Sequence, residues 1–163
     1  MLSPRKFVNR RDKAYHNNRL NSVQQLDKVA SYLLGLNYSG YASPTPKSQS
    51  LIQMDCVAVA VVNNEWLIAS NTQRIGDDEI IRMANELGFD IVYALIKRGN
   101  GHMHAEMQIL EELAASKYSS ANVFIGVSKP CCKKCAEWIV HTGAKYTAHH
   151  DSDVVHWEKP DLS

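Results

Sequence analysis

No stretch of the chain approaches the roughly 20 consecutive apolar residues that a membrane-spanning helix requires. The longest apolar run, Cys56 to Val62, is strand-sized, and no membrane partner is expected. The first residues, Met1 to Leu20, are polar and basic and hold no apolar segment, so no signal peptide is expected either. No biased composition points to wholesale disorder, and no internal repeat is present. Net charge is small, at +1. Cysteine is scarce, with 4 in 163 residues, and unevenly placed. A disulfide scaffold would spread its cysteines along the chain. Here Cys131, Cys132 and Cys135 crowd together and Cys56 stands apart, which points to metal binding in a reducing compartment and hence to a cytoplasmic place of action.

What the chain does have is an ordinary apolar fraction of 45% in a length that fits one domain. Its small net charge conceals an asymmetry. Residues 1–20 carry Arg5, Lys6, Arg10, Arg11, Lys13 and Arg19 against Asp12 alone, and the remainder is correspondingly acidic. A basic arm on an acidic body suits contact with nucleic-acid phosphates, although a solvated terminus has the same composition.

Periodicity predicts the elements. Ala14 to Leu36 reads as a helix, with Leu20, Val23, Leu26, Ala30, Leu33 and Leu34 at three- and four-residue steps and Gly35 as a breaker. Asn37 to Ser50 reads as a loop rich in Ser and Pro. Leu51 to Asn71 predicts a hairpin whose first strand is apolar on both faces and whose turn is Asn63-Asn64. Asp77 to Leu87 predicts a helix with Ile80, Ile81, Ala84 and Leu87 on one side and Gly88 as its stop. Ile91 to Ile96 fits a strand or a helix continuation equally well. His104 to Leu113 predicts a helix with Met107, Ile109, Leu110 and Leu113 inward, followed by a strand over Asn122 to Val127. Cys131 to Thr142 predicts a second helix with Ala136, Ile139 and Val140 inward, and Ala144 to Ala148 a last strand. Trp66 and Trp138 are expected to pack in or near the core, Trp66 having the alternative of stacking on a base. Cys56 is expected to be a small buried hydrophobe, and His141, His149, His150 and His156 to sit on the surface, with His149 to Asp151 as an alternative pocket mouth. The alternation of strands and helices gives an α/β layered fold. It divides into a basic arm, helix and loop over residues 1–50, a body over 51–150, and a polar tail over 151–163 whose one large anchor is Trp157.

The chemistry concentrates in two segments, His104-Ala105-Glu106 and Pro130-Cys131-Cys132-Lys133-Lys134-Cys135. Cys132 and Cys135 are three apart and share a face in a first helical turn. The positive end of the helix dipole favours the thiolates that zinc requires. Two thiolates and the His104 imidazole leave the fourth tetrahedral position open, as a catalytic zinc site needs. Water there becomes acidic enough to act as hydroxide near neutral pH. Glu106, two residues past His104, is placed to move protons as a general acid–base. Two substitutions stay open at this point: Cys131 for Cys132, and His102 for His104.

These segments match the H-x-E…P-C-x-x-C signature of zinc nucleobase deaminases, and over about residues 51–150 the chain resembles the cytidine-deaminase-like superfamily. The resemblance implies a three-layer sandwich with a mixed central sheet of about five strands flanked by helices. It implies Zn2+ as cofactor on His104, Cys132 and Cys135, and Glu106 as the proton shuttle. It also implies that Asn71, the amide of Ala105 and the backbone at Ser128 flank the base. Two departures stand out: Pro130 precedes Cys131 rather than the first presumed ligand, and Asp77 to Ile96 lengthens the segment before the metal helix. Within the superfamily, His104 to Gln108 and Ile125 to Lys129 resemble bacterial polymorphic-toxin deaminases most. That resemblance implies cytosine-to-uracil conversion in a polynucleotide by zinc-bound hydroxide, delivery into a target-cell cytoplasm within a larger secreted protein, and a cognate immunity protein. A deaminase of free nucleosides or nucleotides, an adenine substrate, and a non-catalytic zinc-stabilised interaction module are the alternatives.

Overall fold

A computed structural model describes residues 5–6, 23–37, 56–62, 65–71, 75–88, 93–98, 103–151 and 157–163. The strands are β1 (Arg5–Lys6), β2 (Val57–Val62), β3 (Glu65–Ser70), β4 (Tyr93–Arg98) and β5 (Gly126–Val127). The helices are α1 (Val23–Asn37), α2 (Asp77–Leu87), α3 (Ala105–Ala115) and α4 (Lys133–Thr142). The architecture is α/β.

The sheet runs in the order β1-β4-β3-β2-β5. Its antiparallel part is β3, β2 and β5, with Val61 opposite Trp66 and Ala58 opposite Val127. β4 lies parallel to β3, with Leu67 opposite Leu95. Residues 91–96, ambiguous by periodicity, are thus resolved from Tyr93 onward as a strand. A short apolar run becomes a strand or a helix according to what lies beside it, and here the neighbour is β3.

Side chains of β2 and β3 alternate between two apolar clusters. Val57, Val59, Trp66 and Ile68 join α1 and α2 on one face, with Leu26, Val29 and Leu33 of α1 and Ile80 and Met83 of α2. Ala58, Ala60, Leu67 and Ala69 face α3 and α4 on the other. The alanines on that second face leave room for α3 to lie close against the sheet. Every residue from Ala105 to Leu110 is accordingly buried, including the polar Glu106 and Gln108.

α2 has the expected bounds. Three acidic residues in its first turn, Asp77, Asp78 and Glu79, complement the helix dipole, and Gly88 ends it with the left-handed φ of 81°. Its inward side is Ile80, Met83 and Ala84, whereas Ile81 is exposed. Val140 of α4, expected inward, is 64% exposed. Both misplacements have one cause: each helix touches the core along a stripe narrower than its apolar residues would cover.

The two expected strands around α4 are mostly irregular. Only Gly126 and Val127 of the stretch 122–127 pair as strand. The stretch 144–148 contributes an isolated parallel bridge between Phe124 and Lys145, supported by Ile125 N–H donating to Lys145 O at 2.9 Å. The Asn63-Asn64 turn, the loop 38–50, residues 14–22 and His102 lie outside the described residues. Trp66 is buried in the α1–α2 cluster, so it packs rather than stacks on a ligand.

α1 meets the sheet at β5. Val127 N–H donates to Asp27 Oδ1 at 2.7 Å. A Cβ on Gly126 would fall 2.3 Å from the Leu26 carbonyl carbon. Only glycine permits this approach. Gly126→Ala is therefore expected to destabilise the fold by about 1–3 kcal/mol, the usual range for overpacking. Chemical denaturation with an unchanged m-value would check this, and an unaltered midpoint would refute the close contact.

Candidate metal centre and its cavity

Two helix N-termini converge on one point. His104 is the N-cap of α3, in extended backbone at φ −61° and ψ 152°. Cys132 is the N-cap of α4, and its Sγ accepts the Cys135 N–H at 3.4 Å. The expected helix over residues 131–142 thus starts at Lys133, because a cap residue adopts β-region dihedrals while its side chain takes up an orphan amide. The His104 Nδ1 lies 3.5 Å from Cys132 Sγ and 3.4 Å from Cys135 Sγ. One donor atom from each of these residues falls within 4.8 Å of the others. Among the described residues, no other His, Cys, Asp or Glu group of this kind forms.

The donor set fits a metal ion. Within the group the two thiols are shifted in opposite directions. Hydrogen bonds from Cys135 and His104 hold the Cys132 thiol well below its ordinary value. The Cys132 sulfur and burial push Cys135 up. A dication at the centre would stabilise both thiolates at once, and two helix N-termini add partial positive charge of the same sense. Sequence-predicted His104, Cys132 and Cys135 are therefore brought together and can hold a metal ion.

Cys131 is not part of this group. Its N–H donates to Ala148 O at 2.9 Å, and its carbonyl accepts the His150 N–H at 2.9 Å. It also forms a bridge with His149. Its side chain is buried in the α3–α4 cluster, where burial drives its thiol pKa upward. The backbone is held on both sides, and of the two neighbours it is Cys132 whose sulfur meets His104 and Cys135.

A cavity of about 360 Å³ opens over the centre, lined by Cys56, Asn71, His104, Glu106, Lys129, Pro130, Cys132 and His150. Glu106 is 2% exposed and sits in the first turn of α3. Its Oε1 accepts the Cys56 thiol at 3.5 Å. Gln108 secures the surroundings: its Nε2 donates to Ser70 O and to Met103 O, each at 2.9 Å, tying the end of β3 to the segment that delivers His104.

Cys56 is a correction to the sequence reading. It is half-buried rather than an inert core residue, and its thiol touches Glu106 on the α3 side of the sheet. Burial and the nearby Glu106 carboxylate push that thiol's pKa up, so it remains a donor. Its position at the start of an apolar strand carried no signal of this role. Lys129 was likewise given no place in the site, although it adjoins the cysteine segment, and Pro130, the first residue of that segment, also lines the cavity. His150 lines the cavity while exposed, which fits the pocket-mouth alternative for that segment.

The three weaker substrate candidates fare differently. Asn71 lines the cavity, but its Oδ1 also accepts the Cys56 N–H at 2.8 Å. Asn71→Ala should leave that amide unpaired and lower stability by about 1–3 kcal/mol, read as a thermal shift in protein without substrate. An unchanged midpoint would leave Asn71 with no part in holding Cys56. Ser128 is occupied with β2: its Oγ accepts the Val57 N–H and its own N–H donates to Val57 O, both at 2.9 Å. Ala105 is the first residue of α3, fully buried between His104 and Glu106.

Residues 103–161 match a family model described as OTT_1508-like deaminase. No curated protein and no solved structure matches the chain. The matched stretch holds His104, Glu106, Cys132 and Cys135, and the match supports the likeness to the cytidine-deaminase-like superfamily. Cys56 and Asn71, which also line the cavity, lie outside it.

Proposed function

We propose that this chain, whose metal-site segment is deaminase-like, is a zinc-dependent hydrolytic deaminase that converts cytosine to uracil within a polynucleotide. The observation that carries the reading is Glu106, buried on the cavity wall two residues from the His104–Cys132–Cys135 group. A purely structural zinc site is usually closed by four protein ligands and has no use for a buried carboxylate beside it.

One imidazole and two thiols suit zinc among the available dications. When bound, zinc supplies a Lewis acid that makes water nucleophilic near neutral pH. Glu106 takes up the proton of the attacking water at its carboxylate. It returns protons to the ring nitrogen and then to the departing amine, so that water and cytosine give uracil and ammonia. The Cys56 thiol, bonded to Oε1, orients the carboxylate for this transfer. The cavity volume suits one base, which a polynucleotide must present unstacked.

Support for a polymeric substrate comes from charge. Lys129 and His150 line the opening, Lys133 and Lys134 are exposed beside it, and the sequence of residues 1–20 is basic. In this reading residues 51–150 form the catalytic body of a three-layer sandwich with about five strands, on which α1 and the C-terminal segment pack. The toxin-like motifs support action in a target-cell cytoplasm after delivery by a larger protein, with an immunity protein that covers the cavity. No helix among the described residues is long and apolar enough to cross a membrane.

The test is to incubate zinc-loaded protein with separate pools of free nucleosides, nucleotides, single-stranded DNA, duplex DNA and RNA, and to count uracil and hypoxanthine by mass spectrometry. Uracil in a polymer pool is the expected result. Product confined to free pools would move the enzyme to nucleotide chemistry, hypoxanthine would replace cytosine with adenine, and no product from zinc-loaded protein would favour an interaction module.

A further inference from the structure

Besides the His104 ring nitrogen, each of the two ligand sulfurs has an N–H donor among the described residues, but from very different distances along the chain. Cys132 Sγ accepts the backbone amide of Cys135, three residues on, within the same helical turn. Cys135 Sγ accepts the indole Nε1–H of Trp157 at 3.3 Å, from a residue 22 positions further along. The first donor comes automatically with the N-cap. The second exists only if the C-terminal segment is docked.

That segment is held by contacts to both helices that carry the metal site. The Trp157 ring packs beside Trp138 of α4, with centroids 6.5 Å apart, and Lys134 Nζ lies over it at 5.4 Å. Asp161 N–H donates to Glu111 Oε2 of α3 at 3.0 Å, and Leu162 packs against the α3–α4 cluster. Residues 157–163 therefore bridge α4 to α3 and place one hydrogen-bond donor on a ligand sulfur.

We propose that Trp157 is a positioning residue of the metal centre, whose indole N–H on Cys135 Sγ makes metal retention and docking of the C-terminal segment mutually dependent. The inference rests on the zinc reading of His104, Cys132 and Cys135. A thiolate ligand in an apolar surrounding keeps its charge localised on sulfur unless a donor shares it. The indole supplies that donor and fixes the Cys135 rotamer toward the metal. Partners of this kind typically govern metal affinity by 10–100-fold. The dependence runs both ways by thermodynamic linkage: a metal that turns the thiol into a thiolate strengthens the N–H···S bond and holds the segment down.

The experiment compares full-length wild type with Trp157→Phe and Trp138→Phe. Trp157→Phe keeps a ring for packing and removes the N–H. Trp138→Phe removes an indole that bonds neither sulfur. Zinc affinity is measured by competition with a chromophoric chelator, and each protein is also loaded with Co2+ to read the thiolate-to-metal charge-transfer band. Trp157→Phe should bind zinc about 10–100-fold more weakly, with the cobalt band moved to longer wavelength because the sulfur has become more electron-rich. Trp138→Phe should match wild type in both. Wild-type affinity and an unmoved band in a folded Trp157→Phe protein would overturn the proposal, as would equal losses in both variants, which would mean generic packing. Failure of the wild type to bind one metal per chain would instead overturn the metal reading, and this proposal with it.

Discussion

Glu106→Gln should lower the deamination rate by about a hundred- to ten-thousandfold, the range attributed to a positioned general acid–base, with little change in fold or metal content. The amide is nearly isosteric with the carboxylate and still accepts the Cys56 thiol through its oxygen, so the packing around α3 is preserved. What is lost is the capacity to take a proton from water and return it to the base. The variant keeps His104, Cys132 and Cys135 and should retain one zinc per chain by elemental analysis. A Glu106→Gln protein that holds zinc and turns over at the wild-type rate would remove Glu106 from the chemistry. Loss of zinc together with activity would mean that Glu106 supports the metal rather than the proton.

Removal of the metal is expected to have the second large effect, on activity and stability together. His104→Ala deletes the one nitrogen donor of the group and leaves two thiols that cannot both ionise comfortably. Zinc should be absent after dialysis, and activity should fall to background. Because the metal binds the folded chain, its loss also removes linkage stabilisation, about 2.7 kcal/mol when free metal stands a hundredfold above its Kd. For a domain of this size each kcal/mol moves the thermal midpoint by about 2–4 °C. Stripping wild type with a chelator should therefore lower its midpoint by several degrees, and added zinc should restore it. His104→Ala should show neither response. A zinc-dependent shift that survived in His104→Ala would point to another nitrogen ligand, with His102 the nearest in sequence.

Much of the site was legible before any coordinates. The three-residue step between Cys132 and Cys135 and the two-residue step from His104 to Glu106 are local facts, and local spacing near a helix start determines which side chains share a face. The β2–β3 hairpin and the bounds of α2 were legible for the same reason: a turn signal, an apolar period and the Gly88 stop act within a few residues. What was left open or misread clusters where a partner decides. Tyr93–Arg98 is a strand because β3 lies beside it. The stretches 122–127 and 144–148 look like strands by composition, yet only Gly126–Val127 pairs as strand and the rest meets at an isolated bridge. Ile81 and Val140 belong to apolar patterns wider than the contact their helices make.

The sequence by itself therefore determined the chemistry available: one imidazole, two thiols and a carboxylate at helix starts, in an α/β chain with strand and helix periods in alternation. Only the tertiary structure decided which neighbours complete the site. It buried Cys131 away from the group and set Cys132 against His104 and Cys135, brought Cys56 onto Glu106 across 50 residues, and laid Trp157 on Cys135 across 22. Spacing acts through a few bonds of backbone and can be read along the chain. Contacts between distant segments depend on how sheet and helices pack, and that packing is a property of the folded chain as a whole.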